Sequence, residues 1–346
     1  MKIAVAGTGY VGLVTGVCLA HKGHQVTCVD INEEKVAMMS RGESPIYEPG
    51  LPELMKESME SLCFTTDYRT AYRDAEVIFI GVGTPEKSDG SANLAYVYEA
   101  AKQIAQSVER DCVVVLKSTV PIGTNDKIES YIHDKQVNDV KIYVASNPEF
   151  LSQGTAVHDT LYASRIVIGV TEKYPAEILK KVYENFEAPK LVVARRSAEM
   201  VKYASNDFLA LKISYINEVA NLCEIVGANI EEVTKGMGFD ERIGNKFLRA
   251  GIGYGGSCFP KDTKALNSLA NFNDNEIRTI RAAIEVNENQ KFKLLKKAKK
   301  YYGDFLFLNV AVLGSFSGEC TTAYGRRSPC ACVGPGRRGK FQEAFS

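Results

Sequence analysis

Short apolar, largely β-branched runs alternate with helix-forming segments through the first half of the chain. The runs at 2–6, 25–29, 76–81, 112–116, 141–145, 165–170 and 190–194 predict strands, with helices at 13–20 and 96–108 between them. Alternation of this kind predicts an α/β fold on a parallel, doubly wound sheet. At 197–226 the pattern changes: neither proline nor glycine interrupts it. Met200, Val201, Ala204, Phe208, Leu211, Tyr215, Val219, Leu222 and Val226 recur there at helical spacing. Ser197 can cap the start of this helix and Gly227 its end. A helix this long either spans two domains or packs against its own copy in a dimer. Further helices at 230–236, 261–269 and 276–301 predict an all-helical middle domain. A strand at 306–314 then announces a second nucleotide-type unit, but the pattern dissolves from Ser315. The last 32 residues hold three of the nine cysteines, five glycines and four arginines, yet no Leu or Ile and one Val. Such a segment cannot bury a core and predicts a poorly ordered tail. The expected divisions are 1–196, 197–302 and 303–346.

Composition narrows the function classes. Lys+Arg and Asp+Glu are 42 each in 346 residues, so no basic field argues for nucleic acid or a membrane surface. No apolar run is long enough to span a bilayer, and the N-terminus reads as a strand rather than a signal peptide. Scattered cysteines without paired spacing suggest a reduced, cytoplasmic protein. Cys330 and Cys332 form C-x-C, but with no second ligand pair, so no metal is expected. None of the four histidines (His21, His24, His133, His158) lies near the glycine-rich stretch described below.

Gly7-Thr8-Gly9-Tyr10-Val11-Gly12 supplies G-x-G-x-x-G directly after the first strand, and the second strand ends in Asp30. Strand, glycine turn, helix, strand and acid are the full context of a Rossmann-type dinucleotide site. Asp30 would accept hydrogen bonds from ribose hydroxyls and repel a 2′-phosphate, which favours NAD over NADP. A purely structural βαβ turn is the competing reading. Val82-Gly83-Thr84-Pro85, Lys117 to Pro121 and Asn147 to Leu151 all follow strands, where open parallel sheets bind ligands. Each such residue is also an ordinary turn or cap.

Gly251, Gly253, Gly255 and Gly256 run into Ser257-Cys258-Phe259-Pro260-Lys261-Asp262. Pro260 suits the first turn of a helix, which places Cys258 near a helix N-terminus beside Lys261. There the dipole and the cation favour a thiolate, while Asp262 falls one turn on. Two readings stand: a nucleophile, or an ordinary buried thiol. Lys202 and Asn206, one turn apart around Tyr203, are either site residues or a solvated helix face.

Together these segments resemble the UDP-glucose/GDP-mannose dehydrogenase family. The matching pieces are GTGYVG at 7–12, VGTP at 82–85, KSTVP at 117–121, NPEFL at 147–151, KYASN at 202–206, RIGNKFLRAGIGYGGSCFPKD at 242–262 and VAVLG at 310–314. They occur in the family's order and cover about 1–314. The resemblance implies NAD-dependent, four-electron oxidation of a sugar alcohol, UDP-glucose, through a covalent adduct on Cys258. It implies that Lys202 stabilises an oxyanion, Asn206 orients substrate or water, and Asp262 accepts a proton through a water held by Thr119. Glu149 would assist hydrolysis. It assigns NAD contacts to Gly7, Gly9, Tyr10, Val11, Gly12, Asp30, Lys35, Thr84, Thr119, Gln153 and Lys261. Substrate contacts fall on Glu149, Phe150, Leu151, Lys202, Asn206, Phe247, Tyr254 and Gly255, and on Arg242 reaching across a homodimer.

Two departures qualify the resemblance. Gln153 stands where the family commonly has glutamate, so a base there shifts to Glu149. The family continues after a strand like VAVLG into a Rossmann-like UDP-binding domain, which Ser315-Phe316-Ser317 does not open; 303–346 reads as its remnant. Oxidation of another nucleotide sugar, or an inactive NAD-binding module, are the competing readings.

Overall fold

In a computed structural model, residues 1–256, 258–303, 310–312 and 331–333 are described. The chain divides into two compact units, Met1–Tyr203 and Ala204–Ser346.

The first unit is the doubly wound sheet. In order it comprises β1 (Lys2–Ala6), α1 (Tyr10–His21), β2 (Gln25–Val29), α2 (Glu33–Ser40), α3 (Leu51–Glu57), β3 (Leu62–Thr65), α4 (Tyr68–Arg73) and β4 (Val77–Ile80). Then follow α5 (Ala95–Ser107), β5 (Cys112–Leu116), α6 (Thr124–Lys135), β6 (Ile142–Ser146), α7 (Ala156–Leu161), β7 (Ile166–Gly169), α8 (Lys173–Val182) and β8 (Lys190–Val193). The eight strands stand in the order β3-β2-β1-β4-β5-β6-β7-β8. All pairings are parallel except β6 with β7, which meet antiparallel at Ser146 and Gly169. Strand order reverses between β1 and β4, and the crevice at their carboxyl ends is where such sheets take ligands.

The physical cause lies in the strand composition. Every residue of β4, β5 and β7 is buried, because helices cover both faces and the strands carry apolar residues throughout. One core lies around Leu13, Val17, Phe79 and Phe186, the other around Ile78, Ile80, Val114 and Ile128. Each strand expected at 2–194 is present within two residues of its expected ends. The helices α2, α3, α4, α6, α7 and α8 and strand β3 escaped the pattern. Most are short, and α6 mixes charged residues through its length.

α9 runs Arg195–Val226, 32 residues. It begins before Ser197, so that serine is not its cap. Its first residue, Arg195, is buried, and its guanidinium meets Asp126 at 3.1 Å, Glu129 at 2.7 Å and the Val144 carbonyl at 3.3 Å. Gly227, at φ +78°, follows its last residue. The second unit continues with α10 (Ile230–Gly238), α11 (Phe259–Phe272) and α12 (Arg278–Tyr302). A small core of Ala210, Ile213 and Tyr254, flanked by Phe247 and Phe259, sits beneath the glycine-rich loop. Two short strands, β9 (Val310–Val312) and β10 (Ala331–Val333), pair antiparallel. The rest of the predicted strand at 306–314, and of the tail expected to be poorly ordered, lies outside the described residues.

Candidate active site

The dinucleotide turn is built from close backbone packing. A Cβ on Gly12 would fall 1.9 Å from the Gly7 carbonyl oxygen, so only glycine lets α1 start this near β1. Gly9 precedes α1 as its cap, and a Cβ there would meet nothing within 4 Å. That leaves open space over a helix N-terminus, the arrangement a pyrophosphate needs. Thr8 donates through its amide and its hydroxyl to one oxygen of Asp30, at 3.0 and 2.5 Å. Burial pushes the Asp30 carboxyl up, but these bonds, the Asn32 amide and the Lys35 charge outweigh it and hold it below the usual carboxylate range. Asp30 is therefore an ionised acceptor at the end of β2, and the residues present fit an NAD ribose. Tyr10 turns its hydroxyl onto Glu48, while Val11 is half-buried in the first turn of α1. Thr84 donates to the Thr119 carbonyl at 2.9 Å, joining two of the rim loops.

A second cluster of the first unit lies where β6 ends. Lys202 Nζ stands 2.9 Å from Glu149 Oε1, and both side chains are buried. The Leu151 amide donates to the other Glu149 oxygen at 2.9 Å. Burial pushes Glu149 up, yet the adjoining Lys202, the Leu151 amide and Lys117 hold its carboxyl below its ordinary value. The Phe150 ring lies under two cations, Arg165 at 4.0 Å and Lys202 at 5.6 Å. Lys117, which the sequence reading did not single out, donates to Asn147 Oδ1 at 2.9 Å, and the Tyr183 hydroxyl shares that acceptor at 2.5 Å. Burial, with Lys202 adding to it, brings the Lys117 amine down to about 8 against the pull of Glu149. Gln153 is exposed on the following loop. That loop is tied back by Glu48, whose carboxylate accepts from the Gly154 and Ala156 amides at 2.8 and 2.7 Å.

The second unit holds the cysteine. Cys258 precedes α11 as its N-cap residue and is exposed, not buried. Its carbonyl accepts the first helical bond, from the Asp262 amide at 2.8 Å. The Asp262 side chain is 1% exposed; it accepts from Asn206 Nδ2 at 2.7 Å and meets Lys261 Nζ at 3.1 Å. Asn206 and Asp262, 56 residues apart in sequence, are thus joined directly. The glycine loop is clamped by residues the sequence reading missed. Asn287 accepts from the Tyr254 amide at 2.7 Å and donates to the Tyr254 carbonyl at 2.9 Å. Asn217 and Gln290 hold the Gly251 peptide in the same way, at 2.8 and 2.9 Å. Polar residues on the inward faces of α9 and α12 were the available signal. Gly253, at φ +109°, leaves no room for a Cβ, which would fall 2.5 Å from Asn287 Oδ1. Phe247 adopts φ +63° with its ring against Phe259, an uncommon backbone for a bulky residue. Tyr254 is buried, Gly255 half-buried, and Arg242 is exposed on its own Asp240.

Among the described residues, no group of His, Cys, Asp and Glu could hold a metal, and no helix is long and apolar enough to cross a membrane. The NAD-binding domain model of the UDP-glucose/GDP-mannose dehydrogenase family matches residues 1–187, and its central-domain model matches 196–289. UDP-glucose 6-dehydrogenase YwqF of Bacillus subtilis (strain 168) is 52% identical over 316 residues, 91% of this chain and 72% of that protein. A UDP-glucose dehydrogenase from the archaeon Pyrobaculum islandicum superposes with a TM-score of 0.85 at 40% identity, over 87% of this chain and 71% of that one. A GDP-mannose dehydrogenase from Pseudomonas aeruginosa follows at 0.68 and 34%, over 86% and 71%. With its glycine turn, its ionised Asp30 and two matched domains, the chain belongs to the UDP-glucose/GDP-mannose dehydrogenase family and is an NAD-dependent dehydrogenase.

Proposed function

We propose that the substrate is UDP-glucose and that its primary alcohol is carried to the carboxylate through a covalent intermediate on Cys258. The observation that carries this reading is the buried Asn206–Asp262 pair one helical turn from a solvent-facing thiol at the N-cap of α11. NAD, when bound, accepts hydride, and four-electron oxidation needs two such transfers. Asp262, with a water held by Thr119, takes the proton of the alcohol. The Cys258 thiolate adds to the C6 aldehyde to give a thiohemiacetal, whose oxidation leaves a thioester. Lys202 and Asn206 stabilise the oxyanion in these steps. Water then cleaves the thioester, releasing carboxylate and regenerating the thiol, with Glu149 assisting; Gln153 cannot act as a base. Phe150, Leu151, Phe247, Tyr254 and Gly255 are assigned to substrate; Gly7, Gly9, Tyr10, Val11, Gly12, Lys35, Thr84, Gln153 and Lys261 to NAD.

Three domains, 1–196, 197–302 and 303–346, are the division this reading expects, in a cytoplasmic protein. A homodimer suits the exposed apolar residues of α9, Phe208, Tyr215, Leu222, Ile225 and Val226, and gives Arg242 a neighbouring sugar site to reach. Calorimetry with UDP-glucose and with NAD measures whether the chain holds each ligand. Two NADH per UDP-glucuronate supports the chemistry, and a Cys258→Ser protein with unchanged overall oxidation would overturn it. A panel including GDP-mannose and UDP-N-acetylhexosamines tests the choice of sugar.

A further inference from the structure

Asp207 follows Asn206 on α9 and has no place in the chemistry above. Its side chain is 2% exposed, and among the described residues neither carboxyl oxygen meets a hydrogen-bond donor or a cation. A buried ionised carboxylate in that state is costly, and the ordinary remedy is to keep the proton. The groups that face it can be named element by element. From α11 comes Asp262, a second buried carboxylate whose charge Asp207 feels. From the glycine loop comes the Tyr254 hydroxyl group, which feels Asp207 and, from α12, Glu288. Lys261 and Asn206 address Asp262 instead.

We propose that Asp207 is the proton-holding partner of Asp262: of the two buried carboxylates, Asp207 keeps its proton while Asp262 carries the charge. The asymmetry is built into the surroundings. Asp262 has the Asn206 amide at 2.7 Å and the Lys261 ammonium at 3.1 Å, both of which favour the anion. Among the described residues Asp207 has burial and a like charge, both of which favour the acid, and together they raise its carboxyl to about 7. Asp207 is thus a positioning residue: neutral, it leaves Asp262 as the one anion of the pair, set against the Lys261 ammonium, and its ionisation adds a second anion. Only the part played by Asp262 in oxidation rests on the function proposed above.

The test is a carbon-13 NMR titration of the full chain with labelled aspartate carboxyls, run without substrate. One carboxyl should titrate near neutrality. It should be lost in Asp207→Asn, and in Asp262→Asn it should move to lower pH by about one unit or more, as expected when a like charge nearby is removed. The proposal is overturned if no aspartate titrates above about pH 5, if the neutral titration survives Asp207→Asn, or if Asp262→Asn leaves it in place. Because Asp262→Asn reads the same resonance, the outcome does not depend on one variant folding. Turnover is a separate arm: an intact titration with unchanged oxidation by Cys258→Ser would keep the pair and overturn the covalent reading.

Discussion

The two units treat buried carboxylates differently. In the first, Glu48, Glu149 and Glu199 are buried, and each is met from several sides. Glu199 accepts from the Gly123 amide at 2.5 Å and from the Asn125 amide and side chain at 2.9 and 2.6 Å. Glu149 has Lys202 and the Leu151 amide, and Glu48 has Tyr10 and two amides. In the second unit Asp262 is met by Asn206 and Lys261, but Asp207 beside it is met by nothing among the described residues. Full satisfaction makes a rigid frame that holds loops at strand ends. An unsatisfied carboxyl stores free energy that a change of protonation releases. The frame belongs to the sheet that carries the NAD turn, and the stored free energy lies beside the cysteine helix.

The largest effect is expected where satisfaction is removed. Lys202→Met leaves Glu149 a buried carboxylate without its ion pair, and urea unfolding should show a loss of about 3–5 kcal/mol. Adding Glu149→Gln should restore much of it; no restoration would mean the pair is not what holds the rim.

Next comes the opposite change, in which a neutral amide replaces an unsatisfied acid. The Asp207 carboxyl is raised from its ordinary 3.8 to about 7, so the folded chain binds a proton that the unfolded chain has released across that range. Its contribution to stability is full below the unfolded value and is lost as pH rises to about 7. Asp207→Asn removes this dependence. Relative to wild type it should gain stability from acid to alkaline pH, by up to about 4 kcal/mol. A difference that stays flat across that range in thermal unfolding would count against the contrast.

Gly253→Ala should cost about 1–3 kcal/mol, because both its φ of +109° and the nearby Asn287 oppose a side chain. Chemical denaturation measures it, and a neutral result would show that the loop relaxes freely. Smallest is Asp30→Ala, which removes the two Thr8 bonds at the half-buried rim and should cost about 1 kcal/mol. Calorimetry on the same protein should show weakened NAD binding.

What could be read from the residue pattern follows a physical division. Strands buried on both faces are continuous apolar runs, so the sheet from β1 to β8 was visible almost end to end, β3 excepted. The short helices were not, because the faces they bury are too small to leave a period. The glycine turn and Asp30 were legible because steric exclusion and charge at fixed spacing act over a few residues. Lys117, Glu48, Asn217 and Asn287 were not, since their partners lie far away along the chain.

The amino-acid sequence by itself determined the doubly wound sheet, the NAD turn, the long α9 and the place of Cys258 ahead of a helix, all through local periodicity and backbone sterics. Only the tertiary structure decided that α9 starts at a buried Arg195, that Asn206 meets Asp262, and that Asp207 is buried with no hydrogen-bond donor among the described residues. Those outcomes depend on which polar groups lose water together, and that is settled by packing between segments remote in sequence.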